Sequence, residues 1–269
     1  MSRPNPLPNA SRSCTPSGRA TQDRPYYPTR IARPQTTNQP PVTHPQPHLQ
    51  PASPARRARL FIEFLAIYFG APTLFFTLHL SGSLLIPTLI LSALFCLAIL
   101  LRDNQFDRGA LWDPRPLRQH LPAIALRFAL AALLITAALL IFEPHRFLEF
   151  PRRRTGLWLL IMLGYPLVSV YPQEIIFRAF LLHRYAPIFQ TPTIAIAASA
   201  AAFGYGHIIF NNTLAIAMTL VGGVLFSLTY QRSRSLLAAS LEHALYGMLI
   251  FTVGLGTYFY AGAAASRPP

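Results

Sequence analysis

The chain has 269 residues, of which 52% are hydrophobic and only 12% charged, well below the roughly 25% charged that is usual in soluble domains. Its formal net charge is +14, from 23 Arg and no Lys against nine Asp and Glu, and nine of the Arg precede Leu60 in a terminal segment. Basic residues concentrated in a tail do not form a folded nucleic-acid surface, so we expect no nucleic-acid partner. Two cysteines are too few for a disulfide framework or a cysteine zinc cluster. The composition predicts a membrane protein whose main partner is the lipid bilayer.

The first segment, residues 1–58, combines Pro, Ser, Thr, Gln and Arg without apolar periodicity. Such a mixture buries too little apolar surface to offset the entropy of ordering. We therefore predict a disordered Pro/Arg-rich tail. Arg56, Arg57 and Arg59 precede the first apolar run directly, where they suit contact with anionic lipid headgroups.

From Leu60 onward, long apolar runs alternate with short charged connectors. A run of about 20 residues is what a helix needs to cross about 30 Å of hydrocarbon. The sequence predicts an all-α, polytopic membrane helix bundle of about seven or eight transmembrane helices. The predicted runs are 60–80, 84–101, 122–142, 157–182, 193–210, 214–230 and 236–253, with a short eighth piece at 257–265. Residues 59–156 form packing helices in this interpretation, and residues 157–260 form the catalytic core.

Arginine in the connectors gives an expectation for topology. Connectors 102–121 and 231–235 are rich in Arg and fall on the same side as the tail if the spans alternate. By the positive-inside rule this side is cytoplasmic. The run Arg152-Arg153-Arg154 falls on the opposite side in the same count, so it argues against a simple alternation.

Charged residues inside one apolar run are the strongest sign of a working site. A Glu or Arg at bilayer depth costs at least about 2.5–3.5 kcal/mol, so such residues usually pair inward. Glu174 and Arg178 are four positions apart, on one face of a helix, and can form a buried ion pair. The pair can be a structural salt bridge that only fixes helix packing, or it can belong to a functional site. Arg127, about one turn into the third run, is expected to snorkel to the interface.

Two histidines lie in separate later runs, His207 and His243. Each can simply donate a hydrogen bond to a neighbouring helix carbonyl. Together with a Glu–Arg helix they also supply what water activation needs, a base and groups that bind and polarise water. With Glu174 or Glu242 they would reach the ligand number of a zinc site, although no HExxH spacing supports a divalent metal.

Three segments together resemble the CPBP intramembrane proteases, the CAAX-processing and bacteriocin-processing (abortive-infection) proteins. They are Glu-Ile-Ile-Phe-Arg at 174–178, Phe-Gly-Tyr-Gly-His at 203–207, and His243, so the resemblance covers roughly 157–253. It implies a helix bundle around a cavity in which a glutamate activates water and a histidine helps bind it. It also implies that the last motif's histidine and asparagine stabilise the oxyanion. A metal is left open by the resemblance.

The sequence departs from the family pattern at two motif positions. Gln173 stands where the first Glu of the motif stands, and Gly247 stands where an Asn stands four residues after the last histidine. A carboxamide is not a general base, so the family mechanism does not transfer unchanged. Glu174 is turned about 100° from Gln173 on the helix. Glu242 and Asn211 are candidate replacements, although an interfacial Glu and a helix-end cap explain them equally well.

The sequence therefore predicts an intramembrane endopeptidase of the cell membrane that hydrolyses a membrane-proximal bond in a peptide or protein substrate. Its predicted catalytic residues are Glu174, Arg178, His207 and His243. The alternative is a catalytically inactive relative that binds a membrane peptide or partner in the same cavity. A small-solute transporter finds less support, since the two halves show no repeat.

Overall fold

The computed structural model describes residues 53–259, which form helices and turns without a strand in that range. Seven helices are long and apolar enough to cross a membrane, which confirms the predicted all-α architecture. We number them span 1 to span 7 in chain order: Pro54–Thr77, Gly82–Arg102, Arg115–Phe142, Thr155–Arg184, Pro192–Phe210, Thr213–Ser233 and Leu236–Val253. The predicted tail before residue 53 and most of the predicted eighth piece lie outside the described residues.

Shorter elements connect or interrupt the spans. Three π-helical stretches interrupt them, Ala66–Gly70 in span 1 and Pro166–Val170 and Ile175–Phe180 in span 4. The remaining short elements are the α-helices Gly109–Trp112 and Glu149–Arg153 and the 3-10 turns Gly82–Leu84, Pro144–Arg146, Ala186–Ile188, His207–Phe210 and Gly256–Phe259. A π-helical turn rearranges backbone hydrogen bonds locally, and such turns are frequent at functional sites.

Polar caps set where four of the spans begin. The side chains of Ser53, Thr191, Asn212 and Ser235 each accept a hydrogen bond from a backbone N–H three residues later. This satisfies one of the amide groups that every helix leaves unpaired at its start. Because Ser53 is such a cap, span 1 begins at Pro54, several residues before the predicted start of the first run. Residues 54–58, predicted as the end of the disordered tail, are therefore helical, and that boundary was wrong.

Span 7 is the centre of the bundle. In the apolar stretch of span 7, 56% of the residues are buried inside the protein, whereas in the apolar stretches of spans 1 to 3 only 11–17% are buried. Apolar side chains on those first three spans therefore face outward, as lipid-facing helices do. Two of their charged residues nevertheless reach the C-terminal half: Glu63 accepts hydrogen bonds from Arg184, and Arg127 pairs with Glu242. The expectation that Arg127 snorkels was wrong, because a buried carboxylate binds it.

Glycine brings spans 5 and 6 unusually close. A Cβ added at Gly223 would lie 2.8 Å from the Cα of Ala200, and one at Gly204 would lie 3.2 Å from the Cα of Leu220. Small residues allow membrane helices to approach in this way. The close packing of spans 5 and 6 fixes the end of span 5, where His207 lies.

Polar contacts join the connectors at one end of the bundle. His183 Nε2 lies 2.8 Å from Asp103 Oδ2, and the hydroxyl of Ser235 donates to the carbonyl of Asp113 at 3.3 Å. At the other end, the amide of Leu148 donates to the carbonyl of Val253 at 3.1 Å. The Arg-rich connectors thus share one end, and the segment with Arg152-Arg153-Arg154 lies at the other.

Candidate active site

The site is built on the irregular middle of span 4. Pro166 begins the π-helical stretch Pro166–Val170, and Pro172 is the second residue of the short helix Tyr171–Glu174. Neither has an N–H, so the regular helical ladder lacks two hydrogen bonds ahead of Glu174. The π-helical stretch Ile175–Phe180 follows at once. Two carbonyls in it accept hydrogen bonds from other spans, Ile176 from the hydroxyl of Tyr68 and Phe177 from the hydroxyl of Ser199, each at 2.8 Å. These bonds fix the turn that carries Glu174 and Arg178.

Glu174 and Arg178 form the predicted ion pair, and both side chains are fully buried. Arg178 Nη1 lies 3.2 Å from Glu174 Oε1, a charge contact that is not aligned as a hydrogen bond. The guanidinium carbon of Arg178 lies 4.3 Å from the ring centre of Phe203 and 5.4 Å from that of Phe226. Aromatic faces attract a cation at this range. The guanidinium is therefore held by one carboxylate and two rings.

His243 reaches the same carboxylate from span 7. Its Nδ1 lies 2.9 Å from Oε1 of Glu174. Because a carboxylate accepts, Nδ1 carries the proton and Nε2 is the acceptor nitrogen of the ring. The His243 ring stacks on Phe226, with 4.6 Å between ring centres and 14° between planes. The carboxylate and the stacked ring thus fix both the tautomer and the orientation of the imidazole.

His207 presents the same tautomer from span 5. Its Nδ1 lies 2.7 Å from the carbonyl oxygen of Phe203. A carbonyl only accepts hydrogen bonds, so Nδ1 donates and Nε2 is again the acceptor. The ring packs edge-on against Phe203, 4.8 Å between centres, and Phe203 packs in turn against His243 at 5.3 Å. One aromatic ring therefore separates the two imidazoles.

A large cavity of about 1650 Å³ lies between the spans. Most of its lining is apolar, and its polar residues include Tyr165, Ser169, Gln173, His207 and His243. Both histidines singled out in the sequence therefore line one cavity. Glu174 and Arg178 are not part of the lining; they lie behind the wall, in contact with His243 and Phe203.

Glu242 does not serve the site, so the interpretation of Glu242 as a replacement base was wrong. Its Oε1 accepts from Nε of Arg127 at 2.9 Å, and its Oε2 accepts from the hydroxyl of Thr229. Residues adjacent on a helix point about 100° apart, so Glu242 faces spans 3 and 6 while His243 faces span 4. Both oxygens are therefore occupied away from the cavity.

Asn211 is a helix-end residue and not a replacement donor in the cavity. It is exposed and takes the left-handed conformation, with φ 50°, at the end of the turn His207–Phe210. Asn tolerates this conformation better than most residues and often ends helices. Asn211 is not among the residues that line the cavity.

The two departures from the family pattern both face the cavity. Gln173 lines it, and its Nε2 donates to the hydroxyl of Ser169 at 2.8 Å. Gly247 lines it too, and a Cβ at this position would overlap the ring of Tyr165. Tyr165 was missed by sequence reasoning, although a tyrosine inside an apolar run eight positions before Gln173 was a usable signal.

The zinc ligands considered from the sequence, His207 and His243 with Glu174 or Glu242, do not come together as a group of three in the structure. Among residues 53–259, no three His, Cys, Asp or Glu side chains are close enough together to hold a metal ion. The physical reasons are that Glu242 is bound to Arg127 and that Glu174 Oε1 is shared by His243 and Arg178. The donors present do not fit a three-ligand centre.

Comparison with known proteins agrees with the motifs. Residues 154–249 match the family described as Type II CAAX prenyl endopeptidase Rce1-like. The match includes Glu174, Arg178, His207 and His243, and it confirms the resemblance over this part of the chain. No curated protein and no solved structure gives a significant match. Together with seven apolar helices, the family match makes this a multi-pass membrane protein.

Proposed function

We propose that this protein is an intramembrane endopeptidase of the CAAX-processing kind, which hydrolyses a membrane-proximal peptide bond in the cell membrane. The observation that carries the proposal is the hydrogen bond from His243 to Glu174 in the wall of the cavity. A carboxylate that orients an imidazole is a recurrent arrangement for general-base catalysis. The family match over residues 154–249 supports the same reaction class.

In this proposal His243 is the general base, and Glu174 acts through it. Glu174 does not line the cavity, whereas Nε2 of His243 is an acceptor on that side, with the Tyr165 hydroxyl 3.4 Å away. Water attacks the substrate carbonyl carbon, its oxygen forms the new C–O bond, and Nε2 takes its proton. When the C–N bond breaks, the imidazolium returns the proton to the leaving amine. Glu174 stabilises the imidazolium between these steps.

Arg178 and His207 support this chemistry in different ways. Arg178 is a positioning residue that holds Glu174, because it touches the carboxylate and the rings of Phe203 and Phe226 but does not reach the cavity. His207 Nε2 accepts a hydrogen bond from the attacking water or from a substrate N–H. Two acceptors on either side of Phe203 would hold a water in one orientation, which lowers the entropic cost of the attack.

The cavity suits a peptide that carries an apolar group. Its lining is mainly apolar, and it opens among spans whose outer faces contact lipid. A CAAX box ends in two aliphatic residues and a final residue, after a cysteine that is prenylated. Such a segment brings both a peptide bond and a long apolar chain. We propose a substrate of this class, on a peptide or protein at the membrane, with no nucleic acid involved.

A second function is favoured by one observation, the position of Gln173. It lies on the cavity wall where the family pattern has the first Glu, and its amide is bound to Ser169. A chain that has lost this carboxylate can keep the cavity and bind a membrane peptide without cleaving it. The substitution Gln173→Glu separates the two functions.

The test is cleavage of a reporter by purified full-length protein in detergent, with and without a chelator. The reporter is a prenylated peptide that ends in a CAAX box, with the unprenylated peptide as control. We expect the parent to cleave the prenylated reporter and His243→Ala not to. No cleavage by the parent, together with saturable reporter binding and cleavage by Gln173→Glu, would establish the binding function instead.

A further inference from the structure

The space beside Gly247, where a larger residue would place its side chain, is filled by Tyr165. Gly247 lies one helical turn after His243, on the same face of span 7, and both line the cavity. A Cβ built on Gly247 would overlap Oη, Cε1 and Cζ of Tyr165. The phenol of span 4 therefore occupies the volume in which a side chain at 247 would begin. Glycine at this position is what admits the ring.

Tyr165 is held so that its hydroxyl stays beside the imidazole. The ring packs edge-on against Phe251, with 5.4 Å between centres, and against His243 at 6.3 Å. Its hydroxyl oxygen lies 3.4 Å from Nε2 of His243. Hydroxyl hydrogen bonds are usually about 2.7–2.8 Å long, so this contact is weak. The O–H can turn from Nε2 toward a bound group without losing a strong bond.

The site needs a donor that its histidines do not supply. The N–H of His243 points to Glu174, and the N–H of His207 points to the Phe203 carbonyl. Both rings therefore offer only acceptors to the cavity. Peptide hydrolysis converts the substrate carbonyl oxygen into an oxyanion, which is stabilised by hydrogen-bond donors already aimed at it.

We infer that Tyr165 is a catalytic residue, whose phenol O–H donates to the oxyanion in the place of the side chain that Gly247 lacks. The inference rests on the proposed hydrolysis and deepens it. Water adds to the carbonyl carbon, its proton goes to Nε2 of His243, and the carbonyl oxygen takes the negative charge. Tyr165 donates a hydrogen bond to that oxygen and keeps its own proton throughout, so the proton returned to the amine comes from His243.

The first test removes only the hydroxyl, with Tyr165→Phe, and follows cleavage of the prenylated CAAX reporter. We expect kcat to fall about 10²–10³-fold, which is typical for loss of one oxyanion donor. KM should stay within a few-fold, because the donor acts in the transition state and not on the bound peptide. The control is Tyr171→Phe in the same span, whose hydroxyl donates to the Leu111 carbonyl at 3.0 Å.

The second test uses the overlap between positions 165 and 247. Gly247→Asn alone should lower both the melting temperature and the rate, because its side chain collides with Tyr165. Tyr165→Ala with Gly247→Asn should regain both, with a rate above that of Tyr165→Ala alone. The melting temperature reports only the relief of the overlap, so the rate decides this test. A rate no higher than that of Tyr165→Ala alone would contradict the exchange of one side chain for the other.

The outcomes separate the two proposals. Cleavage by the parent with an unchanged kcat in Tyr165→Phe overturns the role of Tyr165 and leaves the proposed hydrolysis standing. A fall in kcat that Tyr171→Phe shares equally also overturns it. Absence of cleavage in the parent overturns the hydrolysis and the inference together.

Discussion

Nδ1 of His243 lies 2.9 Å from Oε1 of Glu174, although 69 positions separate the two residues in sequence. Arg178 contacts the same oxygen from one turn further along span 4. A buried carboxylate is costly unless cations or donors face it. Glu174 is therefore paired with one cation, and it also fixes the imidazole of a helix three spans later.

Loss of Arg178 should destabilise the fold far more than loss of an exposed ion pair. Arg178→Ala leaves the carboxylate of Glu174 without its cation, at a cost of about 3–5 kcal/mol. Arg178→Ala with Glu174→Gln should recover part of this loss, because the unpaired charge is gone. Folded yield and melting temperature in detergent measure both.

The matched control is Glu149–Arg153, which has the same i, i+4 spacing at 3.3 Å but an Arg side chain that is 78% exposed. Exposed pairs contribute little to stability, so Arg153→Ala should have almost no effect. If Arg178→Ala melts as the parent does, the buried pair is not structural support.

Either histidine of the site should be needed for cleavage in protein that is still folded. His243→Ala removes the proposed general base and should reduce kcat about 10²–10⁴-fold. His207→Ala should reduce it as well, since water then loses one acceptor. Cleavage of the prenylated reporter and melting temperature are measured in parallel. His79→Ala is the control, because His79 is exposed in the loop after span 1. Parent-like rates in both site variants would contradict the assignment.

Glu242 should behave in the opposite way, as a residue of stability. Glu242→Gln weakens the bonds to Arg127 and Thr229 inside the bundle, and bonds to charged groups contribute about 1.5–3 kcal/mol each. We expect a lower melting temperature and a rate within a few-fold of the parent at a temperature where both are folded. A loss of rate as large as that of His243→Ala would return Glu242 to the list of bases.

Much of the fold was predictable because hydropathy and length constrain membrane helices so strongly. Seven apolar runs gave seven spans, and the spacing of Glu174 and Arg178 gave their ion pair. The boundaries were less predictable, because caps such as Ser53 act outside the apolar pattern. The π-helical stretch Ile175–Phe180 was not predicted either, since two of its carbonyls are bound by hydroxyls from other spans, those of Tyr68 and Ser199.

The site was predictable only where a residue's role follows from its own helix. The 100° turn between Gln173 and Glu174 is consistent with their positions in the structure, where Gln173 lines the cavity and Glu174 lies behind its wall. The pairing of Arg127 with Glu242 joins residues 115 apart and depends on how spans 3 and 7 rotate about their axes. The place of Tyr165 likewise depends on the space left by Gly247 in another span. Neither rotation nor packing is readable from a local pattern.

The last prediction concerns pH and the contact between Asp103 and His183 at the end of span 2. Burial by itself raises the pKa of the Asp103 carboxyl, but hydrogen bonds from His183 Nε2 and from the Gln105 amide, each 2.8 Å, outweigh it. The net pKa is below the ordinary value of 3.8. A carboxyl whose folded pKa is lowered adds stability that is complete above its unfolded pKa and is lost as pH falls through the folded pKa.

The parent should therefore lose melting temperature more steeply than Asp103→Asn as pH falls below 3.8, and the two curves should converge at the acid end. Asp103→Asn should melt lower than the parent near neutral pH, since the amide does not replace the charged contact with His183. Asp107→Asn is the matched control, because it removes a carboxylate from the same connector, where the Asp107 side chain accepts from the Gly109 amide at 3.0 Å. Melting curves in detergent from pH 7 to pH 3 measure the difference. Parallel curves for the parent and Asp103→Asn across that range would show that the contact with His183 does not stabilise the end of the bundle.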